Sequence, residues 1–187
     1  MSCCKNQRKN KVENKLGGWS FEPELYHFLR ENLPDGSTIL ELGSGQGTEV
    51  LSQHYRMISI EHNHRFVNKY NSTYIHAPMV GYWYDTSILE SIIPGMWGTY
   101  DCILVDGPVG SESRSRIGFW ENITMFDTSK LILVDDTNRD GEKMLFEKIV
   151  DYVNFNFGET ASHTKRQTRS FKTFSVIFPS KNLEITE

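Results

Sequence analysis

A chain of 187 residues, 38% hydrophobic and 24% charged, suits one folded domain and leaves no room for a second of ordinary size. A net charge of −4 and a pI near 5.9 give no broad cationic surface of the kind that long nucleic-acid contacts need. No run approaches the roughly eighteen apolar residues of a membrane span, the polar start lacks the apolar stretch of a secretory signal, and three cysteines make no disulfide framework, so a cytoplasmic protein is expected.

Residues 1–16 are polar and lysine-rich and read as a flexible tail, with 17–187 as the domain. Cys3 and Cys4 sit in that tail without a second Cys/His pair to complete a metal site. A helix is expected from Ser20, which can cap it. Pro23 and Glu24 suit its first turn, Phe21, Leu25, Phe28, Leu29 and Leu33 recur at helical spacing, and Pro34-Asp35-Gly36 stops it. Strands are then expected at 38–42, 57–61, 73–77, 100–106 and 130–135. Between and after them come helices at about 46–54, 63–70, 85–93, 115–126 and 139–155. Strands that alternate with helices form a parallel sheet covered on both faces, and Cys102 falls inside one of them. Two last runs, 159–165 and 170–178, are separated by a hairpin-like Arg166-Gln167-Thr168-Arg169 and should close the sheet as an antiparallel pair.

The first strand runs into ELGSGQG, residues 41–47, so three glycines fall where a strand ends and a helix starts. Gly43, Gly45 and Gly47 permit a tight turn and leave no Cβ between backbone and ligand. A dinucleotide site would show G-x-G-x-x-G; here the spacing is G-x-G-x-G, with Glu41 two residues ahead. A carboxylate there repels a phosphate and attracts an ammonium. Glu61 ends the second strand, where a carboxylate can accept the hydroxyls of a ribose. An amino-acid end and a nucleoside end together describe S-adenosylmethionine (SAM). ELGSGQG followed by ISIEHN resembles the class I SAM-dependent methyltransferases, and the likeness runs over residues 20–178. It implies an α/β, Rossmann-like, seven-stranded, mostly parallel sheet with an antiparallel C-terminal strand pair and helices on both faces. It further implies that Glu41, Gly43, Ser44, Gly45 and Gly47 line the methionine and ribose portions, with Glu61 on the ribose hydroxyls. His62 is a candidate flank for the adenine. Ala77, Tyr82, Trp83 and Tyr84 are candidates for the adenine pocket, although core packing accounts for the three aromatics equally well.

Carboxylates also end the fourth strand, in VDGPVG, and the fifth, in VDDTNR. Asp106, Asp135 and Asp136 are therefore the candidate catalytic groups, with Asp106 beside the reacting methyl and Asn138 close by. Placed together, the three aspartates are also a candidate Mg²⁺, Ca²⁺ or Mn²⁺ site. The pattern resembles catechol-type O-methyltransferases, in which a carboxylate and an Asp-Asn pair bind a divalent cation, except that Asp136 stands where that family has the amide. Over residues 100–145, VDGPVG, Arg116-Ile117-Gly118 and VDDTNR also resemble the glucuronoxylan type, which acts on sugar carboxylates. Asp106-Gly107-Pro108-Val109 lacks the second proline and the aromatic of the tetrad that stacks a flipped base, so nucleic acid is not the expected acceptor. Arg114, Arg116 and Arg139 are candidates to meet an acidic acceptor, or else are solvated charges at helix starts. The expected function is O-methylation of a small or saccharide-like acceptor. The alternative is a non-catalytic SAM-fold binding module, and an NAD-type oxidoreductase is disfavoured by Glu41 and the glycine spacing.

Overall fold

Successive side chains of the central strands point to opposite faces, and each face meets its own apolar layer. The computed structural model describes residues 16–18, 20–109, 116–158, 162–168 and 170–178. Cys3, Cys4, Arg114 and all of the expected tail except Leu16 lie outside the described residues. In chain order the elements are α1 (Pro23–Asn32), β1 (Thr38–Leu42), α2 (Gln46–Leu51), β2 (Arg56–Glu61), β3 (Thr73–His76), β4 (Met79–Val80), β5 (Trp83–Tyr84), α3 (Thr86–Ile92), β6 (Cys102–Val105), α4 (Gly118–Glu121), β7 (Leu131–Val134), α5 (Asp140–Phe157), β8 (Ser162–Gln167) and β9 (Thr173–Phe178). One seven-stranded sheet has the order β3-β2-β1-β6-β7-β9-β8. Its first five strands are parallel, and β9 is antiparallel to both β7 and β8.

On one face Leu40, Leu42, Ile103, Val105, Ile132 and Val134 pack with Leu89 of α3, Phe119 of α4 and Leu145, Ile149 and Val153 of α5. On the other, Ile39, Leu104, Leu131, Leu133 and the buried Cys102 pack with Leu25 and Leu29 of α1 and Val50 and Leu51 of α2. The expected sheet, its antiparallel pair and helices on both faces are all present. Among the described residues no helix is long and apolar enough to cross a membrane.

Register positions the site. Ile60, Leu42, Val105 and Val134 form one row across β2, β1, β6 and β7. The next residue of each strand is Glu61, Gly43, Asp106 or Asp135, so all four emerge side by side at the C-terminal edge. The ladder continues one step past the row, through Gly43 N to Ile60 O (2.9 Å), Asp106 N to Leu42 O (3.2 Å) and Asp135 N to Val105 O (3.1 Å). The chain leaves β1 toward β2 on one side and returns to β6 on the other, so this edge is the switch point at which open α/β sheets hold ligands.

Several elements differ from the sequence expectation. Residues 63–70 form successive turns, not a helix. Asn63 Oδ1 accepts from Arg65 N (3.1 Å) as a helix cap would, but Asn68 takes a left-handed φ of 60°, through which a right-handed helix does not continue. The helix expected at 115–126 shortens to α4 and a 3-10 turn at Ile123–Met125, with Asn122 Nδ2 donating to Gly118 O (2.8 Å) between them. A small antiparallel pair, β4 with β5, folds about Gly81 at φ 69° where no strands were expected. Glu22, not Ser20, occupies the α1 cap position. The last turn lies later than expected, closing with Thr168 N on Lys172 O (2.9 Å) around Phe171 at φ 64°.

Gly107 and Gly43 hold β6 and β1 together just past the row. A Cβ on Gly107 would lie 2.7 Å from Gly43 Cα and 2.8 Å from Leu42 O, both rigid backbone, while Gly43 itself sits at φ 92°. Gly107→Ala should therefore cost about 1–3 kcal/mol of stability in urea unfolding; an unchanged midpoint and slope would contradict this close approach.

Candidate functional site

A cleft of about 620 Å³ opens at the switch point. Glu41, Gly43, Ser44, Gly45, Gly47, Glu61, His62 and Asp106 all line it, so the structure brings together the candidates at the ends of the first, second and fourth expected strands. The carboxylate of Glu61 is buried and fixed by the backbone, with Oε2 accepting from Ser44 N (2.9 Å) and Oε1 from Asn63 N (2.7 Å). A carboxylate has about four lone-pair sites, so Glu61 keeps capacity for two further donors. His62 Nδ1 lies 3.1 Å from Glu61 Oε1.

Glu41 points to the α2 side of the sheet. Its Oε1 accepts from Thr48 Oγ1 (2.7 Å) and from Ser59 Oγ (2.5 Å), and Thr48 Oγ1 in turn accepts from Gly45 N (2.9 Å). The glycine turn is thus tied to the floor of the cleft through one hydroxyl. Burial pushes the Glu41 carboxyl up to about 7 and the nearby Glu61 charge adds to that, against the two hydroxyl donors. At Gly45 an added Cβ would meet nothing within 4 Å, whereas at Gly47 it would strike the Phe21 ring at 2.3 Å. The first position leaves backbone open to a ligand. The second lets Phe21 seat over α2.

Ala77, Trp83 and Tyr84 are core residues and do not line the cleft, while Tyr82 hydrogen-bonds Glu121. The outer end is formed instead by Asn63, Phe66, Lys69 and Tyr70, from the segment that the sequence reading made helical. Phe66 and Tyr70 were the available signal, because two aromatics beside a ribose-facing carboxylate suit a flat base.

Beyond Asp106 the cleft meets a smaller cavity of about 90 Å³, lined by Asp106, Asp135, Asp136, Arg116, Arg139, Lys172, Val109, Gly18 and Ser20. Gly18, Ser20, Asp106 and Val109 border both spaces. Ser20 Oγ is buried there without a partner. Ligating oxygens of Asp106, Asp135 and Asp136 lie within 4.8 Å of one another, so the three aspartates do converge. Asn138 does not join them; its Oδ1 accepts from Thr173 N (3.2 Å).

Arg116 is neither solvated nor turned to the mouth. It is 4% exposed, with Nη2 donating to Asp106 Oδ1 and Asp136 Oδ2 (3.2 Å each) and Nη1 to the backbone oxygen of Asp135 (3.1 Å). Its Nε and the buried Glu142 Oε1 have no partner among the described residues. Burial alone would lower the Arg116 pKa, but Asp106, Asp136, Asp135 and Glu142 outweigh it and keep the guanidinium charged. Arg139 Nη1 reaches the same Asp136 Oδ2 at 3.0 Å and is 41% exposed at its side chain. Burial raises the Asp106 and Asp135 carboxyls above the ordinary range, helped by the neighbouring carboxylates and opposed by Arg116.

Glu41 gives a stability prediction. Its folded pKa of about 7 exceeds the unfolded value of about 4.3, so the native state binds the extra proton between those values. The stability contributed below pH 4 is then lost as the pH rises through 7. Between pH 4 and 8 the wild type should lose up to about 3 kcal/mol relative to Glu41→Gln in denaturant titrations, and parallel pH profiles would show that folding does not raise the Glu41 pKa.

No family model matches the chain, and no curated protein matches its sequence. Solved structures do share its architecture. An O-methyltransferase from Bacillus cereus in complex with S-adenosylhomocysteine (SAH) is 14% identical, with a TM-score of 0.60 over 91% of this chain and 88% of that one. The O-methyltransferase TomG of Streptomyces achromogenes, involved in tomaymycin synthesis and bound to SAM, is 15% identical, with a TM-score of 0.54 over 90% and 87%. MycE of the mycinamycin pathway, in complex with Mg, SAH and mycinamycin VI, is 13% identical, with a TM-score of 0.54 over 94% of this chain and 49% of that one. In strand order, in its antiparallel closing pair and in its solved neighbours, the chain has the Rossmann-like fold of the class I SAM-dependent methyltransferases.

Proposed function

We propose that residues 17–187 form one SAM-binding domain that transfers a methyl group to an oxygen of a small, saccharide-like acceptor. The observation that carries this reading is the junction at Asp106 and Ser20, where a cleft bearing the glycine turn and both glutamates opens onto a charged cavity. The cleft residues suit the cofactor on their own chemistry. Gly45 leaves open backbone, Glu61 retains acceptor sites for two ribose hydroxyls, and Glu41 offers a carboxylate, ionised at the cost of its burial, to an ammonium. Phe66 and Tyr70 supply flat apolar surface for a base. SAM and SAH are the molecules bound in the neighbouring structures.

When bound, SAM supplies a methyl carbon on a positively charged sulfur, open to in-line attack. The chain has to align a hydroxyl with that carbon and accept its proton. Asp106 borders both spaces and Asp135 lines the smaller one, both with raised pKa values, close enough to neutrality to take a proton and release it. One of these carboxylates would take the proton of the acceptor hydroxyl as its oxygen gained the methyl group, with SAH as the leaving group. The smaller cavity is lined by the polar groups of Asp106, Asp135, Asp136, Arg139, Lys172 and Ser20, which suit a hydroxyl-rich acceptor. Arg139 and Lys172 stand ready for an acidic substituent, such as a sugar carboxylate.

SAH should raise the melting temperature of the purified protein, and Glu61→Ala should weaken SAH binding about 10–100-fold, the worth of hydrogen bonds to a charged acceptor. With isotope-labelled SAM, a panel of sugars and sugar acids should yield a labelled ether or ester. Asp106→Asn and Asp135→Asn should each lower kcat by about 10²-fold or more with SAH affinity retained. No thermal shift at millimolar SAH would overturn the cofactor assignment, and SAH binding without transfer to any acceptor would leave a binding module.

A further inference from the structure

We propose that the guanidinium of Arg116 is the resident cation of the aspartate cluster, and that Asp106, Asp135 and Asp136 hold no divalent ion. The catechol-type resemblance implies such an ion, and the donors present do not fit it. Nη2 of Arg116 bridges Asp106 Oδ1 and Asp136 Oδ2, Nη1 takes the backbone oxygen of Asp135, and Arg139 Nη1 adds a second charged donor on Asp136 Oδ2. One oxygen each of Asp106 and Asp136 is thereby committed to charge-assisted hydrogen bonds, and an ion shared by these two carboxylates would have to sit against a guanidinium that lies 3.2 Å from both.

Charge points the same way. The groups acting on the cluster are the carboxylates of Asp106, Asp135, Asp136 and Glu142, with Glu41 further off, against Arg116, Arg139 and Lys172. Four near carboxylates facing three cations leave little net charge to draw a doubly charged ion out of water. A hard divalent ion also wants six or more oxygen ligands. Arg116 cannot yield by losing its proton, and at 4% exposure it has no solvated place at hand. Where the catechol-type pattern carries an amide, this chain carries Asp136, the carboxylate that both arginines reach. The extra negative charge is matched by a protein cation rather than by an ion. Arg116 is thus a positioning residue that holds Asp106 in place for the acceptor hydroxyl.

Manganese binding, followed by electron paramagnetic resonance without SAM or acceptor, separates this from any result on methyl transfer. The wild type should show no site at up to millimolar Mn²⁺. Arg116→Gln, which keeps a polar side chain of similar reach but removes the charge, should bind Mn²⁺ at least about tenfold more tightly, and adding Asp135→Asn should abolish the gain. A wild-type site that Asp135→Asn removes would overturn the proposal, as would an Arg116→Gln protein that binds no better than wild type. Should Arg116→Gln fail to fold, wild-type crystals soaked in MnCl₂ decide. The guanidinium in place and no anomalous peak at the three carboxylates is the expected result, and a peak coordinated by them is the opposite one.

Discussion

Four parallel strands end on one hydrogen-bonded row, and the site depends on that alignment. Because Ile60, Leu42, Val105 and Val134 are in register, the next residue of each strand falls on one line: Glu61, Gly43, Asp106 and Asp135. A slip of one residue in any strand would turn its terminal side chain to the other face of the sheet. The two apolar layers oppose such a slip, since Ile103 and Leu104, for example, are adjacent in β6, face different layers and would have to exchange environments. Packing on both faces thereby becomes positional accuracy at the edge.

The same alignment crowds acidic groups into a poorly solvated space, and the chain answers with two different devices. Under the glycine turn, burial pushes the Glu41 carboxyl up to about 7 against the hydroxyls of Thr48 and Ser59. At the far side of Asp106 the compensation is a full positive charge, the buried Arg116. An exposed salt bridge would contribute little. A buried one is different: removing one partner strands the others without solvent, so Arg116 and its aspartates form a unit that is costly to break. The cleft is thus electrostatically soft where a cationic amino-acid end would lie and rigid where proton transfer would occur.

Much of this was legible in the chain. Each central strand is a short apolar run followed directly by a polar residue or a glycine, so both the strand and the residue at its end could be read from local text. The candidates at the ends of the first, second and fourth expected strands line one cleft for that reason. The segment 63–70 was misread because apolar spacing gives no sign of the left-handed turn at Asn68, and the error hid Phe66 and Tyr70 at the outer end of the cleft. The Trp83 and Tyr84 alternatives were resolved in favour of the core.

What the sequence determined by itself was the set of residues at the C-terminal ends of the parallel strands, because hydrophobic patterning and turn chemistry are short-range properties. Tertiary structure alone decided their partners and their charge states. Arg116 meets Asp136 across twenty positions of chain, Lys172 and Ser20 reach the smaller cavity from opposite ends of the domain, and the raised pKa values of Glu41, Asp106 and Asp135 follow from burial. Desolvation and through-space charge depend on where distant segments come to rest, and no local window of sequence contains that information.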